Sequence, residues 1–461
     1  MIRPDSPEFA GRVHFIGIGG AGMSAVAWLL HCRGTEVSGS DAAGGPYAEA
    51  LKAAGISVAV GHDPTLVGGA AAVVVSSAVR EVNVELSAAR AAGIPVWHRS
   101  QALAWVVYPK RIIAIAGAHG KTTTSAMAVH ALRGAGIDAT FAIGAPVLGV
   151  DAAVGGGYWG SSDIAVIEAD ESDGSFLLYE PEVSVITNIE PDHLDHYGSE
   201  QAVVEAFGSF AERAGSLILW HGDPHAAAFI AAARLRGQTV VTYGESPEAA
   251  IVVGATGLGS PHGDFPLTLP VPGRHNRLNA AAAWAAATLV GADPGAAAAA
   301  LSSFAGTGRR FEQRGDAAGV TVVDDYAHHP TEIAALLAAA EERSVCRLVV
   351  LFQPHLYSRT RLLAAEFARA LSRPGVAVVL TGVYGAREDP EPGVGARTIA
   401  DLMLPIDGGS VTVVEDLREA AAAAARLARR GDMVLTVGAG SVTDAAEWVL
   451  DELRSREAQG G

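Results

Sequence analysis

The sequence is nearly empty of cysteine. Cys32 and Cys346 are the only two in 461 residues, far apart and each beside an apolar stretch. That pattern argues against a disulfide framework or a thiolate metal site and for two buried free thiols in a reducing compartment. Basic charge is also scarce: 33 Lys and Arg stand against 50 Asp and Glu, a formal net charge of −17. A polyanion needs a concentrated basic patch, and none is visible, so nucleic acid is not an expected partner. Long apolar runs are missing too. No stretch approaches the roughly 20 uninterrupted apolar residues of a membrane span. The mostly apolar segment Val13 to Leu30 is broken by Gly17, Gly19, Gly20 and Gly22 and lacks a basic n-region followed by an unbroken apolar core, unlike a signal peptide. The expectation is a soluble cytoplasmic protein with no membrane partner.

What is present is Ala, Val, Leu and 54 glycines, a composition suited to α/β layers in which buried strands alternate with helices. The length suggests about three domains. The stretch that organises the chain is residues 111 to 124, RIIAIAGAHGKTTT. Ile112, Ile113, Ala114 and Ile115 read as a buried strand, a glycine-bounded turn follows, and Lys121 opens an Ala-rich helix. Glycines allow backbone N–H groups close to phosphate oxygens, and the helix N-terminus favours anions. The candidate nucleotide loop is therefore Gly117, Ala118, His119, Gly120, Lys121, Thr122 and Thr123. Lys121 would reach the outer phosphates and the Thr122 hydroxyl would ligate Mg²⁺. Compared with G-x-x-x-x-G-K-[ST], the loop is shorter, because Ile115 stands where a Gly is usual.

A second cradle precedes it. The strand Val13-His14-Phe15-Ile16 runs into Gly17-Ile18-Gly19-Gly20-Ala21-Gly22, and Met23 and Ser24 begin a helix. The next strand ends at Asp41, about 20 residues on, where a carboxylate can meet a ribose hydroxyl, and a third strand ends at Ser76. This context fits a pyrophosphate, which NAD and a UDP-sugar both carry; a glycine turn for close helix packing is the plainer alternative. Two phosphate loops in succession suggest transfer or ligation between two phosphorylated ligands.

Further along, a strand ends at Glu168, a suitable Mg²⁺ ligand opposite Thr122, with Asp170, Glu171 and Asp173 expected on a solvated turn. His193 is a candidate ligand in its neutral form. Asn276 and Asn279 share one helical face, suiting an adenine edge or a cap. Arg309 and Arg310 lie in a glycine-flanked boundary segment. Beyond it, the strands Val320 to Val323, Leu348 to Phe352, Val376 to Leu380 and Met433 to Val437 each end in polar clusters, among them Asp325, Tyr326, His328 and Arg359, as at the ligand edge of an open sheet.

Assembled, IGIGGAGMSA, GAHGKTTT, EADESDGSF, TNIEPDHLDHY, GRHNRLNAAAA, GTGRRF, DDYAHHPTE and QPHLYSRT resemble the Mur ligase family of peptidoglycan synthesis over nearly the whole chain. The resemblance implies an α/β protein of three domains: a Rossmann-like N-terminal domain (1–108) for UDP-N-acetylmuramate, a central P-loop ATPase-like domain (109–311) for ATP, and a Rossmann-like C-terminal domain (312–461) for an amino acid. It implies ATP-dependent joining of L-alanine to the lactyl carboxylate of UDP-N-acetylmuramate through an acyl phosphate, or, in a recycling relative, joining of a preformed peptide. By the same resemblance Gly17, Gly19, Gly20, Gly22, Met23, Ser24, Asp41 and Ser76 hold the sugar nucleotide. Lys121, Glu168, His193, Arg310 and Asp325 serve catalysis, and Thr122, Glu168 and His193 hold Mg²⁺. Asn276 and Asn279 contact the nucleotide, while Tyr326, His328 and Arg359 line the alanine site. A monomer or a homodimer is expected. Ala118 replaces a Thr of many relatives. Leu356 replaces an Arg of some, leaving carboxylate recognition to Arg359, alone or with Arg361. The rivals from other classes are an NAD-dependent oxidoreductase built on the first loop and a non-catalytic nucleotide-binding module.

Overall fold

The computed structural model describes residues 11–150, 153–343, 347–386, 388–404 and 409–460; Cys346 lies outside them. Three sheets carry the architecture. The first is wholly parallel, in the spatial order Ser57–Val60, Val37–Asp41, Val13–Ile16, Ala72–Val75, Val96–His98. Val13–Ile16 lies at the centre, where the strand order reverses, so the glycine run that follows it sits at the point where open α/β sheets take ligands.

The second sheet has ten strands. At its heart Arg111–Ala116 runs parallel to Val183–Ile186 on one side and Ile164–Glu168 on the other. Five of the six residues of Arg111–Ala116 are buried, which is why the run reads as continuously apolar rather than alternating. Antiparallel strands occur at the rims, Gly257–Ser260 with Gly263–Pro266 and, at the other end, Gly157–Tyr158. These short glycine-bearing strands leave no periodicity in the sequence.

The third sheet runs Glu312–Ala317, Val320–Asp325, Met433–Val437, Leu348–Phe352, Val376–Leu380, Ser410–Val413, with the first strand antiparallel. The strand expected to stop at Val323 continues through Asp324 and Asp325, both buried.

This is the three-domain α/β fold expected, with Rossmann-like outer domains and a P-loop-like centre. The chain forms two compact units, Met1–Pro270 with Asn276–Thr307, and Val271–His275 with Gly308–Gly461. Within the first unit, glycines allow the central part to pack on the N-terminal helix Ala21–Cys32: a Cβ on Gly157 would fall 2.7 Å from the carbonyl oxygen of Ala25. Cys32 is exposed, contrary to the burial expected of it. It is the last residue of that helix, one turn beyond the buried Leu29. No helix among the described residues is long and apolar enough to cross a membrane.

Arg309 fastens the third sheet. Its guanidinium donates to the carbonyls of Gly438 at 2.7 Å and Gly440 at 3.2 Å and pairs with Asp324 at 3.3 Å. Asp324 also accepts from the hydroxyls of Thr436 and Thr443. Removing the cation leaves a fully buried carboxylate uncompensated, so Arg309→Ala should destabilise this unit by about 3 kcal/mol. Hydrogen exchange of the strands Val320–Asp325 and Met433–Val437 measures it, and unchanged protection would refute this role.

Candidate active site

Four residues separate the end of the strand Arg111–Ala116 from the start of the helix Lys121–Gly134. The turn between them is possible because Gly117 and Gly120 adopt φ of 137° and 84°. Space is equally tight. A Cβ on Gly117 would lie 2.0 Å from Thr187 Oγ1, and one on Gly120 2.7 Å from Asn279 Oδ1. The neighbouring strand end clamps the loop: the His119 N–H donates to Asn188 Oδ1 at 2.9 Å, and the Asn188 amide donates back to the His119 carbonyl at 2.9 Å. A helix N-terminus held this rigidly presents its amides and dipole to an anion without further reorganisation.

Carboxylates surround the Lys121 ammonium. It donates to Glu171 Oε1 at 2.8 Å and to the Gly117 carbonyl at 2.7 Å. Burial alone would lower its pKa, but Glu171, Asp170 and Glu168 outweigh that and raise it well above the ordinary lysine value, so Lys121 stays charged. Glu171 departs from the solvated turn expected of it. It is only 3% exposed, and burial pushes its carboxyl up to about 7 although Lys121 pulls the other way. For Asp170, burial pushes up but Lys121, the Ser172 N–H and Arg99 together hold the carboxyl below its usual range. His193, at φ 56°, joins the cluster with its Nε2 3.8 Å from Glu171 Oε1. The Asn279 amide donates to Asn276 Oδ1 at 3.4 Å, which puts the pair together beside Gly120.

The Thr122 hydroxyl donates to Glu168 Oε1 at 3.0 Å, and Glu168 Oε2 accepts from the Gly144 N–H at 2.7 Å. A hydroxyl and a carboxylate converging at the mouth of a phosphate loop form the hard-oxygen donor set that suits Mg²⁺. The residues present therefore fit the ion.

In the N-terminal cradle, the Gly17 and Ile18 N–H groups donate to the Ser40 carbonyl at 2.8 and 3.0 Å, and the Gly19 N–H donates to Asp41 Oδ2 at 2.9 Å. Asp41 thus shapes the loop as well as closing its strand. Met23 and Ser24 are buried in the first helical turns. The Ser24 N–H donates to the Gly20 carbonyl and its hydroxyl to the Ala21 carbonyl, so Ser24 is committed to the helix. Ser76 directly follows the strand Ala72–Val75. Beneath the loop, the fully buried Glu85 is satisfied by His14 at 2.9 Å, Ser40 at 2.8 Å, His62 at 3.1 Å and the Asp63 N–H at 3.1 Å. Nothing in the sequence signals this network, since its members lie on separate elements.

The second unit gathers the remaining candidates. Asp325 accepts from the Phe311 and Ala327 N–H groups, each at 2.8 Å. Arg310 lies 3.6 Å from Glu332 and over the Tyr326 ring. The Tyr326 and His328 rings meet edge to face, as do those of His328 and His355. Burial drives the His328 imidazole down to about 3, with Arg359 and His355 adding to the effect and Glu332 opposing it. His328 is therefore a neutral hydrogen-bonding group at neutral pH rather than a proton acceptor. Leu356 stands at φ 67° just before the helix Tyr357–Leu362. Arg361 pairs with Glu391 at 2.9 Å on the surface.

Similarity to known proteins agrees with this geometry. The fold is that of a three-domain α/β protein. Residues 12–111 match the Mur ligase family catalytic domain, 115–287 the Mur ligase middle domain and 309–440 the Mur ligase glutamate ligase domain. The UDP-N-acetylmuramate--L-alanine ligase of Arthrobacter sp. (strain FB24) is 51% identical over 99% of this chain and 98% of its own length. Among solved structures, the UDP-N-acetylmuramate-alanine ligase of Thermotoga maritima is 28% identical with a TM-score of 0.78, covering 96% of this chain and 99% of that one. A murein peptide ligase from Psychrobacter arcticus shares the fold at 24% identity and a TM-score of 0.70, covering 96% of this chain and 99% of that one. The chain belongs to the Mur ligase family.

Burial raises the Asp325 carboxyl from its ordinary 3.8 to about 6, against the pull of Arg310 and the two N–H groups. A carboxyl with a raised folded pKa binds its proton more tightly in the native state. Its contribution to stability is therefore full at low pH and lost as pH rises from the unfolded value to about 6. Relative to Asp325→Asn, the wild type should lose up to about 3 kcal/mol between about pH 4 and about pH 7, read from urea midpoints. A pH-independent difference would contradict this.

Proposed function

We propose that this chain is an ATP-dependent ligase that joins L-alanine to the lactyl carboxylate of UDP-N-acetylmuramate in peptidoglycan precursor synthesis, working in the cytoplasm where its nucleotide substrates are made. The single observation that carries the reading is the pairing of a glycine cradle at Gly17–Gly22 with a clamped phosphate loop at Gly117–Thr123 in one unit. High identity over the full length to L-alanine ligases favours this over recycling of a preformed peptide.

Domain roles follow: residues 1–108 for the sugar nucleotide, 109–311 for ATP and 312–461 for the amino acid. ATP lies on Gly117, Ala118, His119, Gly120, Lys121, Thr122 and Thr123, with Asn276 and Asn279 near the base. The sugar nucleotide lies on Gly17, Gly19, Gly20 and Gly22, flanked by Met23, Ser24, Asp41 and Ser76. Tyr326, His328 and Arg359 bind alanine, the Arg359 guanidinium pairing with its carboxylate.

A carboxylate is a poor electrophile at neutral pH, so the lactyl oxygen first attacks the γ-phosphorus of ATP and ADP departs. Two anions meet in that step, and the charge of Lys121 together with the loop amides offsets their repulsion. Thr122 and Glu168 would hold Mg²⁺, and His193 a second such ion, which would supply further positive charge. The alanine amine then attacks the acyl phosphate carbonyl, and phosphate leaves from the tetrahedral intermediate. Arg310, at the end of the central domain, and Asp325, in the C-terminal domain, serve this chemistry. Enclosure of the acyl phosphate limits its loss to water.

Phosphate release from ATP and UDP-N-acetylmuramate is expected with L-alanine and to be at least about 100-fold slower with the tripeptide. Turnover with the tripeptide alone would reverse the assignment.

A further inference from the structure

The third glycine of the N-terminal loop makes room for a charge. A Cβ on Gly22 would lie 2.0 Å from a terminal nitrogen of Arg99 and 3.1 Å from its guanidinium carbon. In dinucleotide folds this glycine allows close packing of helix on strand; here the space is taken by a guanidinium. Arg99 opens the helix Arg99–Val107, whose start is fixed by a capping box between His98 and Gln101. Two weak ion pairs tie this helix start to the acidic turn of the phosphate-loop domain: His98 to Asp173 at 3.5 Å and Arg99 to Asp170 at 3.6 Å. Gly22, Arg99, Ser100, Gly144, Glu168 and Tyr179 help line one cavity of about 110 Å³, and among the described residues Arg99 is the only basic side chain in its lining.

The cavity thus runs from the sugar-nucleotide cradle to a proposed Mg²⁺ ligand, and it carries two carboxylates, Glu168 and Asp170. A substrate bearing a diphosphate and a lactyl carboxylate would be repelled from such a lining unless a cation compensated. We propose that Arg99 binds the sugar nucleotide directly, exchanging its loose contact with Asp170 for the diphosphate oxygens at the start of the helix Ala21–Cys32. The exchange is favourable because the pair with Asp170 is long and partly exposed, whereas a guanidinium meets a phosphate through two parallel N–H bonds. The proposal rests on the reading of Gly17–Gly22 as the sugar-nucleotide site and adds to that site a residue from a different element.

The test is steady-state kinetics and calorimetric titration of the full chain carrying Arg99→Ala or Arg99→Lys. The KM and Kd for UDP-N-acetylmuramate should rise on the order of 10- to 100-fold for Arg99→Ala, with partial recovery for Arg99→Lys. The KM for ATP, the KM for alanine and the melting temperature should stay near those of the wild type. An unchanged sugar-nucleotide Kd in Arg99→Ala overturns the proposal while leaving the cradle reading intact. An equal rise in all three KM values also overturns it, because Arg99 would then only support the fold. If the wild type itself fails to bind UDP-N-acetylmuramate, both fall.

Discussion

The constraint on which the rest depends is the close approach of two polar side chains, Thr187 and Asn279, to the backbone of the phosphate loop. Gly117 and Gly120 both sit at positive φ, with no room for a Cβ against the side-chain oxygens of Thr187 and Asn279. That tightness aims the helix Lys121–Gly134 at one point and fixes Lys121 and Thr122 relative to Glu168 and Glu171. Once the helix start is set, the electrostatics follow. A buried ammonium is stable only among anions, and the anions are supplied by the ends of the neighbouring strand and its turn.

The same logic explains why so many carboxylates are tolerated in a site that must receive anions. Glu168, Asp170 and Glu171 hold Lys121 charged, so the carboxylates that crowd the loop are what keep its cation in place. The C-terminal cluster has the opposite character. Burial keeps His328 neutral and raises the Asp325 carboxyl to about 6, while Arg310 lies beside Glu332 and over the Tyr326 ring.

Much of this was legible in the sequence because the informative features are local. A buried strand, a glycine turn and a helix start occur within about 15 residues, and their order declares a phosphate cradle. The four central strands of the third sheet were visible for the same reason, each an apolar run ending in polar residues. What was not legible depends on distant partners. Glu171 reads as one acid in an acidic turn, and only Lys121, fifty residues away in the chain, explains its burial. Glu85 looks like a surface residue of an ordinary helix until His14, Ser40 and His62 close around it. Arg99 carries no motif of its own, and its neighbour Gly22 was assigned to the loop alone. Cys32 was misjudged because apolar surroundings in sequence do not say which way the last turn of a helix faces.

The central claim is that charge at the phosphate loop turns an unreactive carboxylate into an acyl phosphate before the amine arrives. Reaction with UDP-N-acetylmuramate labelled with ¹⁸O in the lactyl carboxylate, followed by ³¹P NMR of the released phosphate, tests it most directly. Transfer of one labelled oxygen into phosphate per amide formed is the predicted result, and phosphate free of label would contradict the account.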